Sequence, residues 1–269
     1  MKISTLPFST MFKHGALVAA FGLGAFASQA QTFVYDGVIY KASGANLTAQ
    51  KAGTKVTVGE AGPAAYTGDI KVPSTIEYGG KNYKVTSIGS VFKGADITSI
   101  YIGDGVATIS RGCFQGDTLL TSVRLPADLA KVNGDLFSGC TALTEIEIPG
   151  ASAEWASNQL KGCTSLKKLV IADGATPIEL SKAIFGDTGI PASLEEVVLN
   201  RQIGAKYGDV ATQTFRGAKG ITTVTIGGSC ASIAASAFEN CTGLKTVTLP
   251  ETVTALGTNV FAGSVIEEG

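Results

Sequence analysis

The chain has 269 residues, and its 21 basic and 22 acidic side chains give a formal net charge of −1. This balance argues against nucleic acid and anionic membranes as partners, because both attract an excess of Lys and Arg. The 34 glycines stand beside 12 phenylalanines and one tryptophan. This ratio favours many tight turns, and with them a short internal repeat, over long helices.

Residues 1–30 have the pattern of a secretory signal peptide. Lys2 and Lys13 precede an apolar run at 16–27, and Ser28-Gln-Ala30 fits a small-residue cleavage site. The run is too short to span a bilayer comfortably, and no later stretch is long and apolar enough. We therefore predict cleavage after Ala30 and export of residues 31–269 to a periplasm, a cell surface or the medium. That segment keeps 19 basic and 22 acidic side chains, a formal charge of −3.

Residues 31–84 contain two turn signals. Asp36-Gly37 and Gly79-Gly80 each separate short segments rich in Val, Ile and Tyr. Such dipeptides favour the positive φ angles of two-residue hairpin turns. We predict that this segment forms a β cap, which protects a strand edge, together with the first coil of the repeats that follow.

Residues 85–269 are predicted to form a repeat solenoid. Three segments align without gaps, Phe114–Pro126, Phe137–Pro149 and Phe238–Pro250, and they share the unit F-x-x-x-x-x-L-x-x-V-x-L-P. The central apolar residue of the unit recurs most often every 23 residues, and such a period predicts stacked coils. These central residues are Ile70, Ile100, Val123, Ile146, Leu169, Val197, Val224 and Val247.

Each unit contains two apolar sets that predict two walls. The V-x-L step alternates apolar and polar residues, which predicts one short strand per coil and a parallel sheet along the stack. A second set upstream of each aromatic is expected to point inward from the opposite wall, and Trp155 falls in this set. Its members include Val106/Ile109/Phe114, Leu129/Val132/Phe137 and Val253/Leu256/Phe261. The predicted fold class is a β-rich leucine-rich repeat superhelix.

Three motifs together carry a family resemblance. They are the recurring F-x-x-C-x-x-L-x-x-V-x-L-P, the run Val85-Thr-Ser-Ile-Gly89 before Phe92, and the leader Tyr66-Thr-Gly-Asp-Ile-Lys-Val-Pro73. They resemble the BspA-type leucine-rich repeats of bacterial surface and secreted proteins, over about residues 33–265. The resemblance implies adhesion to host matrix proteins, other cells or surface ligands, although a fold alone does not determine an activity.

The sequence offers little for catalysis. His14 is the single histidine and lies inside the predicted signal peptide, so the exported chain lacks a histidine for triads or metal sites. Glu145 and Glu147 share one side of a strand at a spacing that glycoside hydrolysis uses, but that side is open to water. We expect Arg124 and Lys168 of adjacent coils to pair with them. We therefore predict no enzyme, no metal and no cofactor.

The five cysteines occupy apolar or small-residue positions of the repeat. Cys140, Cys163 and Cys241 each come three residues after the phenylalanine or leucine that opens a unit. Burial as small hydrophobic side chains explains all five. A disulfide between Cys140 and Cys163, one coil apart, is also within reach and stays open.

Two surfaces are candidates for ligand binding. One is the outward face of the parallel sheet, where stacking aligns side chains beside the central residues. The other is the rim formed by the adjacent units of 28 and 27 residues, whose insertions are expected to form loops. The alternative for the sheet face is a surface that only keeps the protein soluble, and the alternative for the rim is neutral variation of its loops. The candidate binding residues are Tyr101, Arg124, Glu145, Glu147 and Lys168 on the sheet face, and Arg201, Lys206 and Tyr207 on the rim.

These observations predict an exported, non-catalytic binding protein. It would recognise a protein or glycan ligand at a cell surface or in extracellular matrix through the sheet face, as an adhesin does. The alternative is a structural or assembly subunit. In that case the open C-terminal coil would stack on another protein or on a second copy of the chain, which gives self-association.

Overall fold

The computed structural model describes residues 32–49, 55–57, 60–61, 65–152, 154–181, 183–204 and 213–267. They form a β-solenoid of about 7 turns with almost no helix, which confirms the predicted fold class. The predicted signal peptide lies outside the described residues.

The strands are short and numerous. A 3-10 helix, Gly186–Thr188, lies in the insertion of one long coil. In the part of the chain that the structure describes, no helix has the length and apolar character needed to cross a membrane. In chain order the strands are β1 (Thr32–Tyr35), β2 (Val38–Ser43), β3 (Asn46–Ala49), β4 (Lys55–Thr57), β5 (Glu60–Ala61), β6 (Thr67–Val72), β7 (Thr75–Tyr78), β8 (Lys81–Ile88), β9 (Asp96–Ile102), β10 (Thr108–Ile109), β11 (Ser122–Arg124), β12 (Lys131–Val132), β13 (Glu145–Ile148), β14 (Glu154–Trp155), β15 (Lys168–Ile171), β16 (Glu179–Leu180), β17 (Glu196–Leu199), β18 (Thr223–Ile226), β19 (Ser232–Ile233), β20 (Thr246–Thr248) and β21 (Ala255–Leu256).

The first wall of the solenoid consists of β6, β9, β11, β13, β15, β17, β18 and β20. The strands pair in parallel, and the central residues of neighbouring coils are register partners, as in Ile146 with Leu169 and Val197 with Val224. The wall is divided into a three-stranded sheet that ends at β11 and a five-stranded sheet that begins at β13. The predicted register is thus confirmed. The division of the wall between β11 and β13 was not predicted from the sequence.

The second wall carries the other apolar set. It contains β8, β10 and β12 in one sheet and the pairs β14–β16 and β19–β21, all joined in parallel. Ile109, Trp155 and Leu180 of this wall are completely buried. Trp155 is therefore a core residue, as its place in the repeat predicted.

A ladder of aromatic rings fills the space between the walls. Phe92, Phe114 and Phe137 stack with centroids 5.8 and 5.3 Å apart, and Phe215 stacks on Phe238 at 5.4 Å. Each such pair contributes about 0.5–1.5 kcal/mol beyond the area it buries. One coil cannot bury its own phenylalanine, so this ladder makes each coil depend on its neighbours.

Four of the five cysteines add hydrogen bonds between coils. All five are buried free thiols, and Cys140 Sγ donates to the carbonyl of Phe114, 3.0 Å away. Cys163 Sγ donates in the same way to Phe137 at 3.2 Å. Burial raises the pKa of Cys163 to about 12, so this thiol stays protonated and can donate.

The two ends of the solenoid differ. The predicted hairpins β1–β2 and β7–β8 are present, with Asp36 at φ 48° and Gly37 at φ 76° in the first turn. Strand β3 lies parallel to β8 and covers one of its edges, and we propose that these hairpins cap the solenoid. At the opposite end the side chain of Leu256 is 52% exposed, because no described coil covers it.

Candidate binding surface

The outward side of the first wall, called the sheet face below, carries two rows of side chains. They flank the central residue of each strand, which is buried or partly buried, and the register of the strands places equivalent positions side by side. All are exposed or half-buried. The first row is Asp69, Ser99, Ser122, Glu145, Lys168, Glu196, Thr223 and Thr246, and the second is Lys71, Tyr101, Arg124, Glu147, Val170, Val198, Thr225 and Thr248.

Tyr101 is the large aromatic residue of this face. Its side chain is 45% exposed, although exposure of so large an apolar group is costly. The register partners on either side are Lys71 and Arg124. The ammonium nitrogen of Lys71 lies 5.9 Å from the ring centroid, and the guanidinium carbon of Arg124 lies 5.1 Å from it. The ring is thus placed between two cations, an arrangement that cation–π attraction stabilises.

Arg124 turns back toward the preceding coil. Its Nη1 donates to the carbonyl of Ile102 at 2.6 Å and lies 2.8 Å from Asp104 Oδ1. Asp104 also accepts from the backbone N–H of Ala127 at 2.8 Å. The hydrogen bond from Arg124 lowers the pKa of Asp104. The predicted pairing of Arg124 with the glutamates is therefore wrong, because a closer carboxylate lies on the turn after β9.

Lys168 also has a different partner from the predicted one. It lies in register between Glu145 and Glu196, and its ammonium group pairs with Glu196 at 3.1 Å. Lys168 therefore forms an ion pair with only one of the two carboxylates between which it lies. As a result, Glu145 and Glu147 form no ion pair with any residue that the structure describes, and both are exposed. They project just beyond the division between β11 and β13.

A shallow, open cavity of about 380 Å³ lies at the N-terminal end of the sheet face. Asp69 is held there by two hydroxyl groups, since Thr98 and Ser99 donate to its Oδ1 at 2.8 and 2.6 Å. These hydrogen bonds, the one from Ser99 most of all, lower the pKa of Asp69. The lining residues are Asp36, Asp69, Ile70, Lys71, Ser99, Ile100, Tyr101, Ser122 and Arg124.

Sequence reasoning named Tyr101 and Arg124 as candidates but did not group them with Asp36. Asp69 and Lys71 flank Ile70 in the same way that Ser99 and Tyr101 flank Ile100, so the repeat contains a signal for them. Asp36 has no such signal, because it comes from a hairpin turn that approaches the sheet face only in the folded chain.

Arg201 is a buried structural residue and not part of an exposed rim. Only 1% of it is exposed, and it donates hydrogen bonds to the carbonyls of Gly150, Pro149 and Ser152 at 2.9, 3.0 and 2.8 Å. The prediction that it lies on a ligand-binding loop is wrong, because its side chain extends across the exit turns of the two preceding coils. The other rim candidates, Lys206 and Tyr207, lie outside the described residues.

The described residues hold no group of three or more His, Cys, Asp or Glu side chains arranged to bind a metal ion. The acidic residues of the turns serve to join coils. Asp128 accepts from the backbone N–H of Gly105 at 3.0 Å, and Asp173 accepts from that of Ser229 at 3.2 Å. These contacts explain why acidic residues recur in the turns.

One parallel strand per coil, a second wall of shorter strands and an aromatic ladder between them define a leucine-rich-repeat solenoid. The BspA type leucine rich repeat region matches residues 86–203 and 208–268, in 6 copies. This chain belongs to the BspA-type leucine-rich repeat family. The family typically contains non-catalytic repeat proteins, and it indicates a binding or recognition role at a surface or exported location.

Several solved structures of bacterial leucine-rich repeat proteins are similar to this chain. One from T. pallidum has 19% sequence identity and a TM-score of 0.46, covering 85% of this chain and 87% of that chain. One from Bacteroides ovatus has 17% identity and a TM-score of 0.37, covering 86% and 80%. A leucine rich cell surface protein from Faecalibacterium prausnitzii has 19% identity and a TM-score of 0.44, covering 87% and 74%. No curated protein matches the sequence.

Proposed function

We propose that this chain is an exported, adhesin-like binding module that recognises a protein or glycan through its sheet face. The observation that carries the proposal is the fixed register of the outward side chains, which places Tyr101, Arg124 and the unpaired Glu145 and Glu147 on one rigid surface. A partner that docks there orders no loop of this chain, so the entropy cost of association is reduced.

In this proposal, Glu145 and Glu147 contact the partner and take no part in catalysis. Both lie on an open sheet face and not in a cleft. Glycoside hydrolysis by paired carboxylates needs a protonated acid beside an ionised partner and a site that excludes bulk water. An exposed pair of carboxylates instead attracts cationic groups of a partner over a short range.

The size of the sheet face sets an upper limit on the area that a partner can contact on it. Eight strands about 4.8 Å apart give a face about 34 Å long, and three residues across it give about 10 Å of width. The resulting area of about 340 Å² is well below the roughly 800 Å² per partner of a standard protein interface. A protein partner of ordinary affinity would therefore also contact the rims.

A capture experiment tests the proposal. The exported protein is applied to an array of immobilised matrix proteins and glycans, and bound partners are measured again with Arg124→Ala. The matched control is Arg111→Ala, because Arg111 also forms an exposed pair with an aspartate, Asp135, but follows β10 of the second wall. We expect Arg124→Ala to weaken capture at least tenfold and Arg111→Ala to leave it unchanged. Equal effects, or no capture at all, would contradict a sheet-face binding role.

The assembly alternative is favoured by one observation. Large apolar side chains are exposed at the C-terminal coil, among them Leu249, Leu256, Val265 and Ile266. A second copy that covered them would remove this apolar surface from water. Sedimentation velocity of the exported protein over a hundredfold concentration range tests this, with Leu256→Lys as the variant. Self-association that Leu256→Lys abolishes would support assembly, and a monomer at all concentrations would exclude it.

A further inference from the structure

The cavity at the N-terminal end of the sheet face combines charged groups that form no ion pair with any described residue. Lys71 forms no ion pair with any residue the structure describes, and its ammonium nitrogen lies 5.9 Å from the centroid of the Tyr101 ring. Asp69 uses its Oδ1 for both hydroxyl donors, so its Oδ2 remains an open acceptor among the described residues. Asp36 adds a second exposed carboxylate from the turn between β1 and β2.

The neighbouring cation is already neutralised. Arg124 is paired with Asp104 at 2.8 Å and donates to a backbone carbonyl. Within the cavity, therefore, Lys71 supplies an ammonium group that has no ion-pair partner among the described residues, and two carboxylates that can accept hydrogen bonds line the same cavity. The outward positions on either side of Ile70 are about 6 to 7 Å apart along the strand. A ligand that satisfies both Lys71 and Asp69 must carry an anionic group and hydroxyl donors within that distance.

We propose that this cavity binds an acidic sugar, a uronic acid residue of a glycan. The sugar carboxylate pairs with Lys71, and the ring hydroxyls donate to Asp69 Oδ2 and to Asp36. The apolar side of the sugar ring lies against the exposed part of Tyr101. The inference rests on the proposed function, since it assigns a ligand class to part of the same surface.

Two other ligands fit less well. A neutral sugar supplies hydroxyl donors for the carboxylates but leaves the ammonium group of Lys71 without an anion. An Asp or Glu side chain of a peptide supplies the anion, but no hydroxyl donors flank its carboxylate to reach Asp69 and Asp36. A uronic acid carries both kinds of group on one ring, so it is the ligand that the cavity satisfies most completely.

The test uses the exported protein labelled with ¹⁵N and titrated by NMR. The probes are the methyl glycosides of glucuronic and galacturonic acid, the neutral methyl glycosides of glucose and galactose, and N-acetylglutamate amide. We expect at least one uronide to bind at least fivefold more tightly than its neutral parent, with amide shifts centred on Lys71 and Tyr101. Lys71→Met should weaken the binding of that uronide at least tenfold.

The matched control is Lys161→Met, a lysine outside the sheet face that is likewise paired with a carboxylate, that of Asp187. It should change uronide binding less than twofold. The proposal is overturned if neither uronide binds more tightly than its neutral parent, if the two lysine variants weaken binding equally, or if N-acetylglutamate amide binds as well as the better uronide. Circular dichroism spectra and melting curves of both variants check that they fold.

The outcomes separate this inference from the proposed function. If the array captures a partner that depends on Arg124 while no uronide binds, only the ligand assignment of the cavity fails. If a uronide binds at Lys71 but no partner depends on Arg124, the cavity assignment stands and the wider sheet-face role fails.

Discussion

Arg201 gives the sharpest test of how the coils are held together. Its guanidinium group donates three hydrogen bonds of 2.8 to 3.0 Å to carbonyls of Pro149, Gly150 and Ser152, and a longer one of 3.4 Å to Thr176. The side chain is 1% exposed, and burial lowers the pKa of Arg201. Replacement by Met removes the charge but keeps most of the apolar volume.

The cost of Arg201→Met follows from the carbonyls that lose their donor. At about 1–3 kcal/mol for each unsatisfied buried group, three carbonyls give about 3–9 kcal/mol. Pro149 keeps a second donor, the backbone N–H of Ser152 at 3.1 Å, and water can reach an emptied site near the rim. The lower part of the range, about 3–5 kcal/mol, is therefore expected.

Urea unfolding followed by circular dichroism measures this change. The control is Arg216→Met, whose guanidinium group pairs with Glu239 at 3.1 Å on the surface, and it should cost about 0–1 kcal/mol. Arg201→Lys keeps a charge but lacks the planar fork that reaches several carbonyls, so it should fall between the two. A loss below about 1 kcal/mol for Arg201→Met would refute the structural role assigned to Arg201, because the carbonyls of Gly150 and Ser152 would lose their donor and together cost more than that.

Three further predictions concern the packed interior. Burial raises the pKa of Asp117 to about 7, whereas an unfolded Asp titrates near 3.9; the folded chain thus binds the extra proton, and the free energy of unfolding should fall as the pH rises from about 4 to about 7. Asp117→Asn should flatten this dependence in urea unfolding at pH 5 and pH 8, and an unchanged slope would contradict the assignment. A Cβ at position 150 would collide with the carbonyl oxygen of Asp173, so Gly150→Ala should cost about 1–3 kcal/mol. Gly134→Ala, whose Cβ would meet only Arg111 Nε at 3.8 Å, is its control, and equal losses would exclude the collision as the cause. The five buried thiols should react with Ellman's reagent only after unfolding, because the reagent needs an accessible thiolate; fast reaction of the native protein would show that the coils open readily.

The repeat spacing by itself determined the position, direction and register of the strands. Ile146 and Leu169 are buried register partners because the apolar period brings the same face of each strand inward at every coil. Trp155 was assigned to the core on the same basis. A pattern that recurs eight times in one chain strongly restricts the backbone, since any shift would expose every apolar residue of a coil.

Tertiary structure alone decided which polar groups meet. Arg124 pairs with Asp104 and Lys168 with Glu196, because long side chains choose among several carboxylates within reach and the period does not rank those choices. The same is true of Arg201, which extends across coils about fifty residues earlier in the chain. The cavity beside Tyr101 needs Asp36 from a hairpin outside the repeat. Backbone register follows from local periodicity, whereas a site follows from side chains that meet only when distant segments have packed.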